Sequence, residues 1–118
     1  MEDIKIAKKY IQKANNAKQQ GHEFNLNFTS YKNLMRAKKC YFTGELLTTP
    51  VGGENARLTD RTIDRVDSSK PYEKGNVVAC SLAANRIKGT IESNEHGWGF
   101  EIVRKILKKV PLRQSDLK

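Results

Sequence analysis

Apolar residues recur at three- and four-residue steps near the start of the chain, which predicts an amphipathic helix over residues 3–20. Gly21 is expected to end this helix. A shorter helix is predicted to begin near Thr29 or Ser30, because either hydroxyl can cap its first turn. The apolar positions of the first helix are Ile4, Ala7, Ile11 and Ala14, and the second helix is predicted to bury Tyr31, Leu34 and Met35.

The middle of the chain has short apolar runs typical of strands, separated by turn-forming residues. Residues 40–47 predict a strand or hairpin arm that turns at Thr43–Gly44, and residues 48–55 are the clearest loop. Strands are predicted at 61–66 and 76–80, joined by the loop DSSKPYEKG.

Two more helices are predicted toward the end of the chain. Ser81 can cap a helix that runs to about Ile91. A final helix is predicted from about Gly99 and stops at Pro111. Its expected buried face consists of Phe100, Val103, Ile106, Leu107 and Val110.

These elements predict one α+β domain, which a length of 118 residues also favours. Residues 1–39 are its basic helical N-terminal region, residues 40–92 a strand–strand–helix segment, and residues 93–118 the C-terminal helix and tail. No apolar run approaches the ~20 residues of a membrane span. The first residues lack the apolar core of a secretory signal. We therefore expect a cytoplasmic protein without a membrane partner.

The net charge of +9 favours a polyanionic partner. Residues 1–39 contain nine Lys and Arg against three acids, a net charge of +6, whereas residues 40–89 have a net charge of only +1. A carboxylate-containing centre beside a basic flank suits a metal site next to a phosphate-binding surface. The alternative is that the basic helix face is simply solvated.

The two cysteines, Cys40 and Cys80, are far apart in the sequence. A structural disulfide between them is not expected in a cytoplasmic protein. Two thiols also cannot complete a tetrahedral zinc site. Unless His22 or His96 joins them, they are most simply small buried residues.

The strand–strand–helix segment contains residues that suit a divalent-metal site. Asp64 offers a carboxylate and Asn85 an amide oxygen, both hard ligands suited to Mg²⁺ or Mn²⁺. Arg86 and Lys88, close to Asn85, can hold a phosphodiester. The side chain of Asn76 can tie the inter-strand loop to the strand.

The run TIDRVDSSKPYEKGNVVACSLAANRIKG, preceded by CYFTG, resembles the small phage-type HNH endonucleases, members of the His-Me finger (ββα-metal) group. The resemblance covers residues 40–89. Its most specific part is the pairing of DRVDSSKPYEKGNV with the N-x-x-K of Asn85 and Lys88. It implies an HNH-like ββα finger flanked by N-terminal and C-terminal helices.

The resemblance also implies residue roles. Asp64 takes the position of the metal-binding residue on the first strand, Asn76 that of the middle Asn, Asn85 that of the final metal ligand, and Lys88 that of the basic residue one turn later.

Many family members also brace the finger with zinc held by two Cys-x-x-Cys pairs. Here Cys40 and Cys80 match one cysteine of each pair, while Thr43 and Ala83 occupy the partner positions. A structural zinc is therefore not expected, and apolar packing must hold the finger.

The chain departs from the family at Arg65, where the general base is a histidine. A general base must accept a proton near neutral pH, and an arginine stays protonated. Arg65 could stabilise developing negative charge instead. A nearby carboxylate, Asp60 or Asp67, or a metal-bound water could activate the nucleophile.

Ordinary structural roles compete with these assignments. Asp64 could pair with Arg61 or Arg65, and Asn85 could bond to nearby backbone. Asp67 is more simply a turn-former. The helix face with Arg86 and Lys88 could be solvated.

The leading expectation is an HNH-like, divalent-metal-dependent DNA endonuclease of phage type, with catalytic residues Asp64, Arg65, Asn76 and Asn85. Double-stranded DNA is the expected partner, and a homodimer could cut both strands. The alternatives are an inactive HNH-fold module that binds DNA or RNA, or an inhibitor of a host protein. The residues expected to contact nucleic acid are Lys8, Lys9, Arg61, Arg86 and Lys88.

Overall fold

In the part of the chain that the structure describes, four helices and a two-stranded antiparallel sheet make up the fold, so its class is α+β, as the sequence predicted. The computed structural model describes residues 2–53, 55–93, 97 and 99–113. The chain forms two compact units, Met1–Asn85 and Arg86–Lys118. The elements are α1 (Asp3–Gln19), α2 (Phe28–Met35), β1 (Arg61–Arg65), β2 (Val77–Ser81), α3 (Leu82–Ser93) and α4 (Phe100–Lys109).

Helix α1 ends before Gly21, as predicted, but it does not bury the predicted apolar positions. Ile6 is fully buried, whereas Ile4 and Ile11 are 70% and 58% exposed. The hydroxyl of Tyr10 donates to the backbone oxygen of Leu26 at 2.6 Å. Two stripes of α1 have helical spacing, one with Ile4 and Ile11 and the other with Ile6 and Tyr10. The stripe with Ile6 and Tyr10 packs against the core. The ring of Tyr10 makes edge-to-face contacts with Phe24, Phe28 and Tyr31.

Helix α2 begins one residue earlier than predicted, and its cap is a different residue. The side chain of Asn27 accepts a hydrogen bond from the backbone N–H of Ser30 at 2.8 Å. Asn27 is therefore the N-cap, and the prediction of Thr29 or Ser30 was wrong. Tyr31 and Met35 are buried as expected, and Leu34 is half-buried against the core.

The sheet register determines which side chains of β1 share a face. Ile63 pairs with Ala79, Asp64 with Val78, and Arg65 with Val77. Residues directly opposite in an antiparallel pair project to the same face, and successive residues alternate. Ile63 and Val77 both belong to the core cluster with Ile6. Asp64 and Val78 therefore lie on the face away from that core.

Connecting segments pair with both strands of this small sheet. The predicted arm at residues 40–47 is a turn closed by a single bridge between Lys39 and Leu46, with Gly44 at a φ of +76°. The N–H of Tyr41 donates to the backbone oxygen of Ala79 in β2 at 2.9 Å. On the other side, the N–H of Arg61 in β1 donates to the backbone oxygen of Thr48 at 2.8 Å.

Helix α4 forms over the predicted residues and ends before Pro111, but the predicted burial of its apolar face was wrong. Among its described residues none is buried, and Leu107 is 67% exposed. Phe100, Ile106 and the following Val110 are also exposed, while Val103 is half-buried. No helix in the described part of the chain is long and apolar enough to span a membrane.

The packing of α1 leads to a direct prediction. Replacing Ile6 with Ala should lower the free energy of unfolding by about 3 kcal/mol, because it removes a fully buried side chain and leaves a cavity. Replacing the exposed Ile4 with Ala should change it by less than about 0.5 kcal/mol. Urea titration followed by circular dichroism measures both. Equal losses in the two variants would contradict this orientation of α1.

Candidate functional site

Asp64 lies on β1, in the ββα segment where the sequence predicted a metal ligand. The residue is partly exposed, but its carboxylate oxygen Oδ2 is shielded from solvent. Burying a carboxylate oxygen is costly unless hydrogen bonds, a proton or a cation compensate the charge.

Asn85 lies at the start of α3, and the backbone there is held by three hydrogen bonds. The hydroxyl of Ser81 accepts from the N–H of Ala84 at 3.1 Å, which confirms the predicted cap. The N–H of Leu82 donates to the oxygen of Asp60, and the N–H of Ala83 donates to the oxygen of Leu58. Since β2 passes directly into α3, Asn85 has a defined position in the unit that also contains Asp64.

Arg65 is anchored on the opposite face of the sheet from Asp64. Its guanidinium lies 4.7 Å from the centre of the Tyr72 ring. One terminal nitrogen donates to the backbone oxygen of Lys70 at 3.1 Å. These contacts fasten the inter-strand loop to the end of β1.

Asn76 makes the loop-closing hydrogen bonds that its position in the sequence suggested. Its side-chain oxygen accepts from the N–H of Asp67 at 2.9 Å, and its side-chain nitrogen donates to the oxygens of Asp67 and Pro71, both at 3.0 Å. The residue is buried. These three hydrogen bonds give Asn76 a structural role, the closing of the loop between β1 and β2.

Asp67 has the geometry of a turn-former. Its carboxylate accepts from the backbone N–H of Ser69 at 3.0 Å and from the hydroxyl of the same residue at 2.6 Å. The N–H of Lys70 donates to its backbone oxygen. An Asx-type turn at the start of the loop explains why an aspartate stands here.

Asp60 is buried in a network of its own and is poorly suited to be the missing base. The backbone N–H of Arg57 and the hydroxyl of Thr48 donate to its carboxylate at 2.9 and 2.6 Å. These bonds outweigh the effect of burial and, together with the guanidinium of Arg57, lower the pKa of Asp60 below its ordinary value of 3.8. A carboxylate with a lowered pKa is a weaker proton acceptor near neutral pH.

Cys40 and Cys80 are both buried and both free thiols. The sulfur of Cys40 accepts from the backbone N–H of Ser81 at 3.3 Å, so the structure brings Cys40 beside the residue after Cys80. Burial raises the pKa of Cys40, but hydrogen bonds from Thr43, Ser81 and Phe42 oppose it and bring the pKa to about 7. Cys40 and Cys80 together offer two thiol ligands, whereas a tetrahedral zinc site needs four.

The sequence offered two histidines as possible further ligands, His22 and His96. The ring of His22 lies 6.2 Å from that of Tyr72, at the loop side of the core. His96 lies outside the described residues, as does Trp98.

The residues predicted to contact nucleic acid differ in their exposure and in their hydrogen-bond partners. Lys8 and Lys9 are exposed on α1, and the half-buried Arg61 donates from Nε to the backbone oxygen of Ala37 at 2.8 Å. In the second unit, Arg86 is exposed. Lys88 is only 8% exposed, and its ammonium lies 2.8 Å from a carboxylate oxygen of Glu92. Lys88 is therefore not on an open helix face.

Asp64 on β1 and Asn85 on α3 are the two oxygen-bearing residues that the sequence assigned to a divalent cation. In the described ranges there is no group of three or more His, Cys, Asp and Glu side chains arranged to hold a metal. Mg²⁺ is often bound through one or two protein carboxylates and keeps several waters.

Lys13 contacts the ring of Tyr72, a contact that the sequence did not predict. Its ammonium lies 5.1 Å from the centre of the Tyr72 ring. Lys13 follows Lys9 by four residues, the spacing that puts two side chains on one helix face, and this was the available signal.

Comparison with known proteins adds one relative. The chain is 33% identical over 72 residues to an uncharacterized 29.0 kDa protein in the dda-modA intergenic region of Enterobacteria phage T4. The match covers 61% of this chain and 27% of that protein, so the chain spans about a quarter of the relative's length. No protein-family model matches the chain, and no solved structure matches it.

The hydrogen bonds of Asn76 predict a large effect on stability. Replacing Asn76 with Ala should lower the free energy of unfolding by about 2–3 kcal/mol, because three hydrogen bonds are lost and their backbone partners stay partly buried. Chemical denaturation measures the loss. Asn15→Ala, at an exposed position of α1, is the matched control and should be nearly neutral. A neutral Asn76→Ala variant would show that the loop is held by other contacts.

The lowered pKa of Asp60 predicts a pH-dependent contribution to stability. Since its pKa in the folded protein lies below 3.8, its hydrogen bonds stabilise the fold above that pH. The contribution is lost as the pH falls through the folded pKa. Wild type should therefore exceed Asp60→Asn in urea midpoint at neutral pH, and the difference should shrink below about pH 4. A difference that stays constant from pH 7 to pH 3 would contradict the assignment.

Proposed function

We propose that the chain is an HNH-like protein of phage type that binds double-stranded DNA and hydrolyses a phosphodiester bond with Mg²⁺ or Mn²⁺ in the host cytoplasm. The observation that carries this proposal is the position of Asp64. A partly buried carboxylate projects from the non-core face of a β-ribbon, and the helix that follows the ribbon carries Asn85.

In this proposal Asp64 and Asn85 hold the cation through oxygen atoms. A divalent cation there supplies a Lewis acid for the phosphate and lowers the pKa of bound water. Hydrolysis adds water to phosphorus and breaks one phosphorus–oxygen ester bond, leaving a phosphate monoester and a hydroxyl group. The protein's own task is to present the two oxygen ligands.

The proton from the attacking water needs an acceptor other than the residues next to Asp64. Arg65 stays protonated, and its guanidinium is occupied by Tyr72 and Lys70. The carboxylate of Asp60 is occupied by Arg57 and Thr48. With neither of these side chains available, transfer of the proton to bulk solvent or to the phosphate gives slow cleavage that accelerates as pH rises.

The net charge supports the nucleic-acid part of the proposal, and the comparison with known proteins supports the phage part. A net charge of +9 favours a polyanion. The similarity to a phage T4 protein supports a phage origin for this chain. The function of that relative adds nothing further, since its own description is uncharacterized.

A second candidate function is DNA binding without cleavage. The anchoring of Arg65 favours it, because the residue that replaces the histidine has a structural role on the opposite sheet face. In this version the ββα segment is a scaffold for binding DNA, and inhibition of a host protein is a separate alternative.

Nicking of supercoiled plasmid DNA tests the proposal. Wild-type protein with Mn²⁺ or Mg²⁺ should convert supercoiled to open-circular DNA, and a chelator should stop it. Asp64→Asn keeps the shape of the side chain but removes its charge, and should abolish nicking. Asn85→Ala should also abolish it, whereas Asn85→Asp keeps an oxygen ligand and should retain activity.

Metal binding and DNA binding should be measured in parallel with nicking. Mn²⁺ binding, followed by electron paramagnetic resonance, should weaken in Asp64→Asn and Asn85→Ala. Salt-sensitive DNA binding without any nicking would favour the second candidate. A chain that forms a stable complex with a host protein but has no salt-sensitive DNA affinity would overturn both.

A further inference from the structure

A cationic cleft lies between α1 and the beginning of β1, outside the residues assigned to the metal site. Its volume is about 190 Å³. Lys9 and Lys13 line it from α1, Arg61 and Thr62 line it from β1, and Pro50 closes one side. Among the described residues that line it there is no carboxylate.

The polar wall of the cleft is one continuous stripe of α1. Lys9, Gln12, Lys13 and Asn16 line the cleft and follow each other at the i, i+3, i+4, i+7 spacing of a single helix face. Two of these side chains are cations and two are amides. Such a stripe offers charge and hydrogen-bond donors together, the combination that contacts phosphate oxygens.

Arg61 is held in place on the facing wall. Its Nε donates to the backbone oxygen of Ala37 at 2.8 Å, and one terminal nitrogen lies 3.4 Å from the hydroxyl of Thr49. Both partners are neutral, so the guanidinium keeps its full charge. A guanidinium has five N–H donors, and these two contacts leave others for a phosphate.

A second cavity of about 430 Å³ lies next to the cleft along the same helix. Lys9 and Pro50 line both cavities, and Lys5 extends the row toward the start of α1. Lys5, Lys9 and Lys13 are four residues apart, so each step is about 6 Å along the helix axis. The only acid lining the second cavity, among described residues, is Glu2.

A row of cations suits an extended polyanion better than a single small anion. We infer that this groove, formed by Lys5, Lys9, Lys13 and Arg61, binds the sugar–phosphate backbone of a nucleic acid strand. The inference rests on the proposed nucleic-acid-binding function and assigns its backbone contacts. Arg61, Thr62 and Ile63 of β1 line the groove, so a strand in the groove runs along the β-strand that also carries Asp64, although Asp64 itself lies on the other face of the sheet.

The groove separates two neighbouring lysines that the sequence grouped together. Lys9 lines both cavities, whereas Lys8 is exposed on α1 and lines neither. Consecutive residues of a helix are rotated by about 100°. Lys8→Gln and Lys9→Gln therefore remove the same charge from adjacent positions, one outside the groove and one inside it.

The test measures the affinity for a labelled DNA duplex at a series of salt concentrations by fluorescence anisotropy. Lys9→Gln, Lys13→Gln and Arg61→Gln should each reduce the slope of log K against log salt by about 0.9, because each removes one phosphate contact. Lys8→Gln should leave the slope unchanged. Lys9→Glu, at an exposed position that the fold does not need, should weaken binding further.

Single-stranded DNA and double-stranded RNA are the other arms of the experiment, since all three ligands share the phosphodiester backbone. The ligand that loses affinity most in Lys9→Gln identifies the strand type that occupies the groove. Thermal unfolding of each variant shows whether a loss of binding comes from a loss of structure. Arg61→Lys, which keeps the charge, should retain most of the slope.

The outcomes separate this inference from the function on which it rests. If wild type binds with a steep salt dependence but Lys9→Gln and Lys8→Gln behave alike, the groove assignment is wrong and the proposed function stands. If wild type binds none of the three nucleic acids, both fail. Loss of nicking in Asp64→Asn with an unchanged salt slope would support two distinct surfaces, one for chemistry and one for the backbone.

Discussion

The side-chain amide of Asn76 makes the interaction on which the arrangement of the ββα segment depends. It closes the loop between β1 and β2 by bonding to Asp67 and Pro71. A closed loop sets the register of the two strands, and a slip of one residue would exchange every side chain between the two faces. The observed register puts Ile63 in the core and Asp64 on the opposite face. A structural residue therefore decides where the candidate metal ligand projects.

Arg65 has a structural role through its contact with the ring of Tyr72. Lys13 and Arg65 both lie against the ring of Tyr72, whose backbone is in turn hydrogen-bonded to Glu23 and Asn25. These contacts connect α1, the α1–α2 connection and the inter-strand loop. Cation–π contacts of this kind contribute about 0.5–1 kcal/mol each at exposed sites. An arginine is useful here because its planar group can stack on a ring and donate to a carbonyl at the same time.

The first compact unit carries both of the surfaces proposed for nucleic acid. The candidate ligands Asp64 and Asn85 belong to the ββα segment, and the cationic groove runs between α1 and β1. This division matches the charge distribution, because the basic flank supplies the groove and the nearly neutral middle supplies the oxygen ligands. Backbone contacts of the groove type position a nucleic acid without reading its sequence.

The sequence alone determined the α+β class, the ββα order, the cap at Ser81, the loop-closing role of Asn76 and the turn at Asp67, because each depends on residues close together in the chain.

Tertiary structure decided which stripe of α1 is buried. The pair Ile4 and Ile11 and the pair Ile6 and Tyr10 fit the helical period equally well, and the aromatic partners of Tyr10 distinguish them. It also decided that Lys9 faces a groove while Lys8 does not, that Lys88 is buried beside Glu92, and that the apolar residues of α4 stay exposed. Local spacing specifies a helix and its faces, but what each face meets depends on segments distant in sequence, and the periodicity of one helix contains no information about them.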